Sequence, residues 1–231
     1  SAITSCGSTM ATEGGRKSIQ HNTDDRFCFD GQKLISVNGI YAITGAEYRT
    51  ELESFGRIQA FGESNGSLAN GPAYFTVQTK AGLTLEFGNT ADSRIEAQGK
   101  SVVRAWLLSS MRDAKGNRID FSYFEDNAAG ESRLSTVTYA GRSVLFTYEA
   151  RPDVSVGYEL GTKISLTQRL KEVETRIGTT TIQRLKVAYT VGAATGRSRV
   201  QSVTQCAADN TCLAPTMFDV SDNSQMGVLG G

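Results

Sequence analysis

Residues 106–123 read Trp-Leu-Leu-Ser-Ser-Met-Arg-Asp-Ala-Lys-Gly-Asn-Arg-Ile-Asp-Phe-Ser-Tyr, and this stretch indicates the fold of the chain. An apolar run that begins at Trp106 leads to the turn Asp113-Ala-Lys-Gly-Asn117, and the run from Ile119 to Tyr123 then alternates apolar with polar residues. Alternation with a period of two places one set of side chains on a buried face and the other set in solvent. Because glycine accepts a positive φ, the chain reverses at the turn. The stretch therefore predicts two strands joined as a β-hairpin.

The same pattern recurs downstream in degenerate form. The turn Ala140-Gly141-Arg142 precedes the alternating run Val144 to Tyr148, and the run Ile182 to Tyr189 precedes the turn Gly192 to Gly196. Only 3 prolines stand against 24 glycines, which fits many tight turns between short strands. We therefore predict an all-β fold, a meander of antiparallel hairpins that forms an open, twisted sheet of partial-shell or sandwich-like type.

Composition suggests how the chain is divided. Residues 1–22 are polar and rich in Gly, Ser and Thr, so we expect an irregular N-terminal stretch. Residues 23–220 are expected to form a β-rich domain, with a subdivision near residue 100 where a mixed meander gives way to hairpin repeats. Residues 221–231 lack a strand or helix pattern and are expected to be a linker-like tail, as if the chain had been excised from a longer polypeptide.

Charge and hydropathy exclude several classes of partner. Lys plus Arg and Asp plus Glu both total 24, so the formal net charge is zero and gives no global argument for nucleic acid or an acidic membrane surface. No window approaches the ~18 consecutive apolar residues that a membrane-spanning helix needs. The first residues also lack the basic and apolar regions of a signal peptide. We expect no nucleic-acid partner and no membrane span.

The four cysteines are placed so that they could form two disulfide bridges. Cys206 and Cys212 flank Ala-Ala-Asp-Asn-Thr, a run of turn-forming residues, so two opposed strands would bring them within bridging distance. Cys6 and Cys28 would then pair by elimination and would tie the N-terminal stretch to the first strand. The alternative is four free, buried thiols in a cytosolic protein. If both bridges form, the compartment is oxidising.

Ordered blocks along most of the chain resemble a known family. The blocks are Phe27-Cys-Phe-Asp-Gly-Gln-Lys-Leu34, Gly45 to Ile58, Gly71 to Gly88, the stretch 106–123, Gly196 to Cys206 and Cys212 to Phe218. The first three resemble the N-terminal region of Salmonella virulence-plasmid B-type proteins, which the B components of bacterial insecticidal toxin complexes share. Residues 106–123 resemble the entry into Rhs/YD-type repeats. The resemblance covers roughly residues 24 to 218.

The resemblance implies a function. In such proteins β-hairpin repeats coil into a hollow shell that encloses a toxic C-terminal domain. This chain would be a noncatalytic structural β module of a secreted or cell-surface bacterial protein, forming part of a shell that encloses or presents a toxin. Its partners would be neighbouring β modules of the same or a longer toxin polypeptide, together with a toxin cargo domain. Exposed strand edges would favour such pairing.

Some members of that family carry a C-terminal ADP-ribosyltransferase, which makes transferase activity a remote alternative. Such a site needs an Arg, a Ser-Thr-Ser strand edge and a Glu-x-Glu pair. Arg118, Ser135-Thr136 and Glu172-Val-Glu174 occur in that order. These residues also fit the hairpin pattern, in which two Glu separated by one residue lie on a solvated strand face. We therefore predict no catalytic residues and no enzyme.

The sequence gives little support for a metal, phosphate-binding or calcium site. His21 is the only histidine, which excludes sites built from several histidines, and no Gly-rich phosphate loop is present. Asp24, Asp25 and Asp30 lack the spacing of a calcium loop. We predict no cofactor and no metal.

A second function class, an adhesin-like module that binds a glycan or a protein, would use the aromatic residues Tyr74, Phe75, Phe87, Trp106, Phe121, Tyr123, Phe146 and Tyr148. Core packing is the alternative role for the same residues.

Overall fold

The computed structural model describes residues 1–52 and 56–219. The chain divides into two compact units. Unit 1 comprises Ser1–Ala140 and Val156–Ser165, and unit 2 comprises Gly141–Ser155 and Leu166–Gly231. Residue 100, near which composition suggested a subdivision, therefore lies within unit 1. The predicted linker-like tail, residues 221–231, lies outside the described residues.

Almost all regular structure is β-strand. The strands within unit 1 are β1 (Ala2–Cys6), β2 (Arg26–Phe29), β3 (Gln32–Asn38), β4 (Glu47–Thr50), β5 (Arg57–Phe61), β6 (Tyr74–Gln78), β7 (Thr84–Phe87), β8 (Arg94–Glu96), β9 (Val103–Arg112), β10 (Arg118–Asp126) and β11 (Glu131–Tyr139). Strands β12 (Arg142–Glu159) and β13 (Thr162–Ile177) contribute to both units, and β14 (Thr180–Val191), β15 (Ser198–Ala207) and β16 (Thr216–Met217) belong to unit 2. Helical segments are single turns, namely α1 (Met10–Glu13) and the 3-10 turns Ser64–Gly66, Leu68–Asn70 and Ala91–Ser93.

Eight strands of unit 1 close into an antiparallel barrel. The strands β1 to β7 pair in succession, β7 pairs with β9, and β9 pairs back to β1 through Ile3 opposite Trp106. The all-β class is thus confirmed, whereas the predicted open sheet is wrong. Local alternation specifies each strand but carries no signal for the pairing of β1 with β9, which joins distant parts of the sequence. The first 22 residues, expected to be irregular, contain β1 and α1.

The barrel is filled by one cluster of apolar side chains. Its members are Ile3, Phe27, Phe29, Leu34, Ala46, Tyr48, Ile58, Ala60, Phe75, Val77, Phe87, Val103 and Trp106. Trp106, on β9, is completely buried, and its ring packs edge-to-face against Phe27 and Phe75 with centroids 5.2 and 5.1 Å away. The indole N–H donates a hydrogen bond of 2.8 Å to the carbonyl oxygen of Pro72, so the one polar atom of the ring is satisfied.

The predicted hairpin 106–123 is present as β9 and β10, which pair through Met111 opposite Ile119. Their turn is closed by Asp113, whose carboxylate accepts hydrogen bonds from the backbone N–H groups of Lys115 and Asn117. Gly116 adopts a φ of 86°. The chain therefore reverses at the predicted turn, through the hydrogen bonds of Asp113 and the positive φ of Gly116.

In unit 2 the strands follow chain order, with β13, β14, β15 and β16 as successive neighbours. The pairing of β14 with β15 runs from Gln183 opposite Ala207 to Val191 opposite Ser198, with one irregularity after Ala188. In contrast, β16 pairs with β15 only at Thr216 and Met217. Beyond this pairing, an isolated bridge joins Cys206 to Cys212, and the backbone N–H groups of Leu213 and Phe218 donate to the carbonyl oxygens of Gln205 and Gln201.

Candidate functional site

One side of the unit 2 sheet carries a row of apolar side chains. Val187 lies opposite Val203, and Leu185 lies opposite Val173. Because residues two apart on a strand share a face, these four side chains form one surface, which we call the apolar face. All four are half-buried.

The other side is charged. Glu172 lies opposite Lys186, and Glu174 lies opposite Arg184. The guanidinium of Arg184 contacts both carboxylates, at 3.6 Å for Glu172 and 3.4 Å for Glu174. The hydrogen bond from Arg176, that from the Thr181 hydroxyl and the charge of Arg184 all lower the pKa of Glu174. Opposite charges on neighbouring strands stabilise this side of the sheet, on which Glu174 is buried rather than solvated as the sequence suggested.

Unit 2 is curled. The carboxylate of Asp153 on β12 accepts hydrogen bonds from the backbone N–H and the hydroxyl of Ser198 on β15, although β13 and β14 lie between these strands in the sheet order. Arg169 donates to the same hydroxyl at 2.8 Å and stacks over the ring of Tyr189, 4.3 Å from its centroid. Since Tyr189 shares a face with Val187, the apolar face is on the concave side.

The apolar face is not covered by a core of unit 2. Among the described residues of unit 2, Cys206 is the only apolar side chain that is fully buried, whereas unit 1 supplies every member of the core cluster. Burial of apolar area is the main favourable term in folding. The apolar face therefore retains surface that a further β element could cover.

All four cysteines are bridged in the structure. Cys6 on β1 is bonded to Cys28 on β2, and Cys206 at the end of β15 is bonded to Cys212 in the loop that follows. The Cα–Cα distances are 5.9 and 4.0 Å. Both pairings are those expected from the positions of the cysteines in the sequence.

The residues that suggested a transferase are held in ordinary strand contacts. Arg118 pairs with Asp120 at 2.6 Å and lies 3.8 Å from Glu86, all within unit 1. Ser135 and Thr136 lie on β11 with their hydroxyls 3.4 Å apart. Glu172 and Glu174 belong to the charged face of unit 2.

The aromatic residues considered for a binding surface are not exposed. Phe75, Phe87 and Trp106 are core residues of the barrel, and the other five are half-buried.

His21 is buried with its backbone N–H bonded to Asp25, and Asp30 accepts a hydrogen bond from the backbone of Ala2. Across residues 1–52 and 56–219, no group of three or more His, Cys, Asp or Glu is placed to hold a metal ion. None of the helices in that part of the chain is long and apolar enough to cross a membrane.

One charged cluster was not foreseen from the sequence. Glu125 on β10 lies against Glu96 on β8, and the buried Arg104 on β9 attracts both Glu125 and Glu159. Partial burial raises the pKa of Glu125 to about 8, and its hydrogen bond and charge repulsion with Glu96 add to the rise. No sequence signal identifies this cluster, because Glu96, Arg104, Glu125 and Glu159 come from four separate strands.

Comparisons with known proteins agree on the fold. A family model described as SpvB, Salmonella virulence plasmid 65kDa B protein, matches residues 9–180. The N-terminal domain of effector protein SpvB from Salmonella typhimurium strain LT2 is 18% identical with a TM-score of 0.68, over 89% of this chain and 86% of that chain. A comparison with curated proteins found no match.

Larger assemblies contain the same fold as a small part. The Tc holotoxin pore of Photorhabdus luminescens is 15% identical with a TM-score of 0.70, over 92% of this chain and 13% of that chain. The crystal structure of TcdB2-TccC3-Cdc42 gives 15% identity, a TM-score of 0.68 and the same coverage of both chains. At such identities these likenesses show the fold alone. The family model, however, matches more than half of the residues, and the chain therefore belongs to the Salmonella virulence plasmid 65kDa B protein family.

Proposed function

We propose that the chain is a noncatalytic structural β module of a secreted or surface toxin protein of the Rhs-like or toxin-complex type, where it forms part of a shell that encloses or presents a toxin. The observation that carries this proposal is the contrast between the two units. Unit 1 has a complete core, whereas unit 2 presents a concave apolar face without one. A sheet of this kind gains stability when a neighbouring β element covers it.

The solved structures support a role within a larger polypeptide. The chain corresponds to 13% of the matched chain in the Tc holotoxin pore and in TcdB2-TccC3-Cdc42. If the same holds for this protein, its partners are neighbouring β modules of its own polypeptide, with a toxin domain as the enclosed cargo. The family also supports a secreted or surface location in a bacterial virulence system.

The two alternative functions lack a favouring observation. A glycan- or protein-binding adhesin would need several of the eight aromatic residues on the surface, and each of these residues is buried or half-buried. A transferase would need an available glutamate, and both Glu172 and Glu174 are engaged by Arg184. Neither alternative is proposed.

A first experiment measures the intact mass of the protein as its host makes it. A polypeptide several times longer than 231 residues supports the shell module, whereas a mature product of this length contradicts it.

A second experiment places the same charge on either face of unit 2, with Val187→Glu on the apolar face and Thr204→Glu on the charged face. We expect only Val187→Glu to make the full-length protein sensitive to protease, because a buried carboxylate without a partner is strongly unfavourable. Equal sensitivity of both variants would contradict a covered apolar face.

A further inference from the structure

The segment that follows β15 lies along the outer edge of that strand. We call residues 208–219 the cover segment. Its backbone N–H groups at Leu213 and Phe218 donate to the carbonyl oxygens of Gln205 and Gln201, both at 2.9 Å. Between these bonds, β16 adds the short pairing to Ser202 and Val203. The cover segment therefore occupies backbone groups that a strand edge would otherwise offer to another strand.

Side-chain packing contributes little to holding the cover segment. Leu213, Met217 and Phe218 are 66%, 60% and 48% exposed, so their apolar surface remains largely in water. The guanidinium of Arg184 donates to the Ala208 carbonyl and the Asn210 side chain at 3.2 and 3.3 Å, both at exposed positions. Contacts of this kind are weak in solvent.

The Cys206–Cys212 bridge is a covalent cross-link between β15 and the cover segment, and its two residues differ in exposure. Cys206 is 1% exposed, whereas Cys212 lies in the exposed loop. We propose that this bridge is a redox latch: its reduction releases the cover segment and exposes the outer edge of β15 to solvent. A reductant that approaches from solvent reaches the sulfur of Cys212 first.

The reaction is a thiol–disulfide exchange with a dithiol reductant. A thiolate of the reductant attacks Sγ of Cys212, the S–S bond breaks, and Cys206 leaves as a thiolate that takes a proton from solvent. The second thiol of the reductant then attacks the mixed disulfide and releases Cys212, while the reductant becomes a cyclic disulfide. Two electrons and two protons pass to the protein, which ends with two free thiols.

The second bridge provides an internal control. Cys6 and Cys28 lie on β1 and β2, which also pair through four residue pairs, and the neighbouring Phe27 and Phe29 are core residues of the barrel. Reduction of this bridge leaves the two strands held by the ladder and the core. A selective release of the cover segment is therefore distinguishable from a general effect of reductant.

Hydrogen exchange monitored by mass spectrometry tests the latch in the intact chain, before and after dithiothreitol, beside the variants Cys206→Ser/Cys212→Ser and Cys6→Ser/Cys28→Ser. The bridge closes a short loop, so we expect its loss to speed exchange in residues 201–218 by about tenfold or more. The oxidised Cys6→Ser/Cys28→Ser variant should keep this region protected. The fluorescence of Trp106, the only tryptophan, should show in every case that the barrel remains folded.

Three results would overturn the proposal. The first is unchanged exchange in residues 201–218 after mass spectrometry shows that Cys206 and Cys212 are reduced. The second is equal deprotection in the Cys6→Ser/Cys28→Ser variant while its Cys206–Cys212 bridge is intact. The third is a Cys206–Cys212 bridge that dithiothreitol cannot reduce while the barrel is folded. If the Cys206→Ser/Cys212→Ser variant fails to fold, the reduced wild-type chain decides between these results.

Discussion

Asp153 and Ser198 are joined by two hydrogen bonds, from the backbone N–H and the hydroxyl of Ser198 to the carboxylate, across the width of a sheet that places two strands between them. A flat sheet with strands about 4.8 Å apart could not make this contact. The pair therefore fixes the curl of unit 2, and the concave shape of the apolar face depends on it.

We expect Asp153→Asn to loosen unit 2 and to remove part of its acid sensitivity. The hydrogen bond from Arg151 and those from Ser198 lower the pKa of Asp153 well below its usual 3.8. A lowered folded-state pKa stabilises the fold above the unfolded pKa, and this stabilisation is lost as pH falls below about 4. Hydrogen exchange of β12 and β15 between pH 7 and pH 3 checks the prediction. A variant whose unit 2 exchanges as slowly as the wild type at pH 7 would contradict it.

Gly88→Ala should destabilise the barrel more than Gly116→Ala. Both glycines have a positive φ, which costs about 1 kcal/mol for alanine. A Cβ at Gly88 would also lie 2.3 Å from Cδ1 of the buried Trp106, whereas a Cβ at Gly116 would meet no atom within 4 Å. Overpacking of this kind adds about 1–3 kcal/mol. Urea unfolding followed by Trp106 fluorescence measures the free energy of unfolding of both variants. Equal decreases in the two variants would show that Trp106 moves aside without cost.

The substitution Glu125→Gln should remove the part of the wild type's loss of stability at alkaline pH that comes from ionisation of Glu125. Because the folded-state pKa of Glu125 is raised from 4.5 to about 8, its proton stabilises the fold at low pH, and this contribution declines as pH rises from about 4.5 through 8. Glutamine stays neutral and avoids the repulsion with Glu96. The variant should therefore gain stability over the wild type at pH 9, with a smaller difference at pH 5. Thermal unfolding at both pH values checks this, with Glu63→Gln at an exposed position as the matched control.

A leucine-to-alanine substitution should lower the free energy of unfolding by different amounts in the two units. Leu34 is 1% exposed in the barrel core, so Leu34→Ala should cost about 2–5 kcal/mol. Leu185 on the apolar face is only half-buried, so the same change there should cost about 1 kcal/mol or less in the isolated chain. In the full-length protein the cost at Leu185 should rise if a neighbouring module covers it. Denaturant unfolding of both proteins provides the comparison.

The sequence was informative where structure is local. Alternation and turn residues located the hairpin of β9 and β10 and the loop between Cys206 and Cys212. The pair Asn38-Gly39, which is typical of a two-residue hairpin turn, instead begins a connection that continues to Ala46. Within this connection the ring of Tyr41 stacks on that of Phe27 in the core.

The relationships that matter for function are not local. The closure of β1 on β9, the Glu96–Glu125 pair and the Asp153–Ser198 contact each join residues that are far apart in sequence. Their residue types, such as the Thr and Ser of β1 or an isolated Asp, are common at exposed positions. Only the three-dimensional arrangement distinguishes them from solvated side chains.

Ring closure of the eight-stranded barrel gives strand addition a direction. A ring has no terminal strand, so its members offer no end at which another chain can join the ladder. The outer edge of β15 does offer such an end once the cover segment leaves it. Strand addition to this chain can therefore take place at β15 but not at a member of the closed ring.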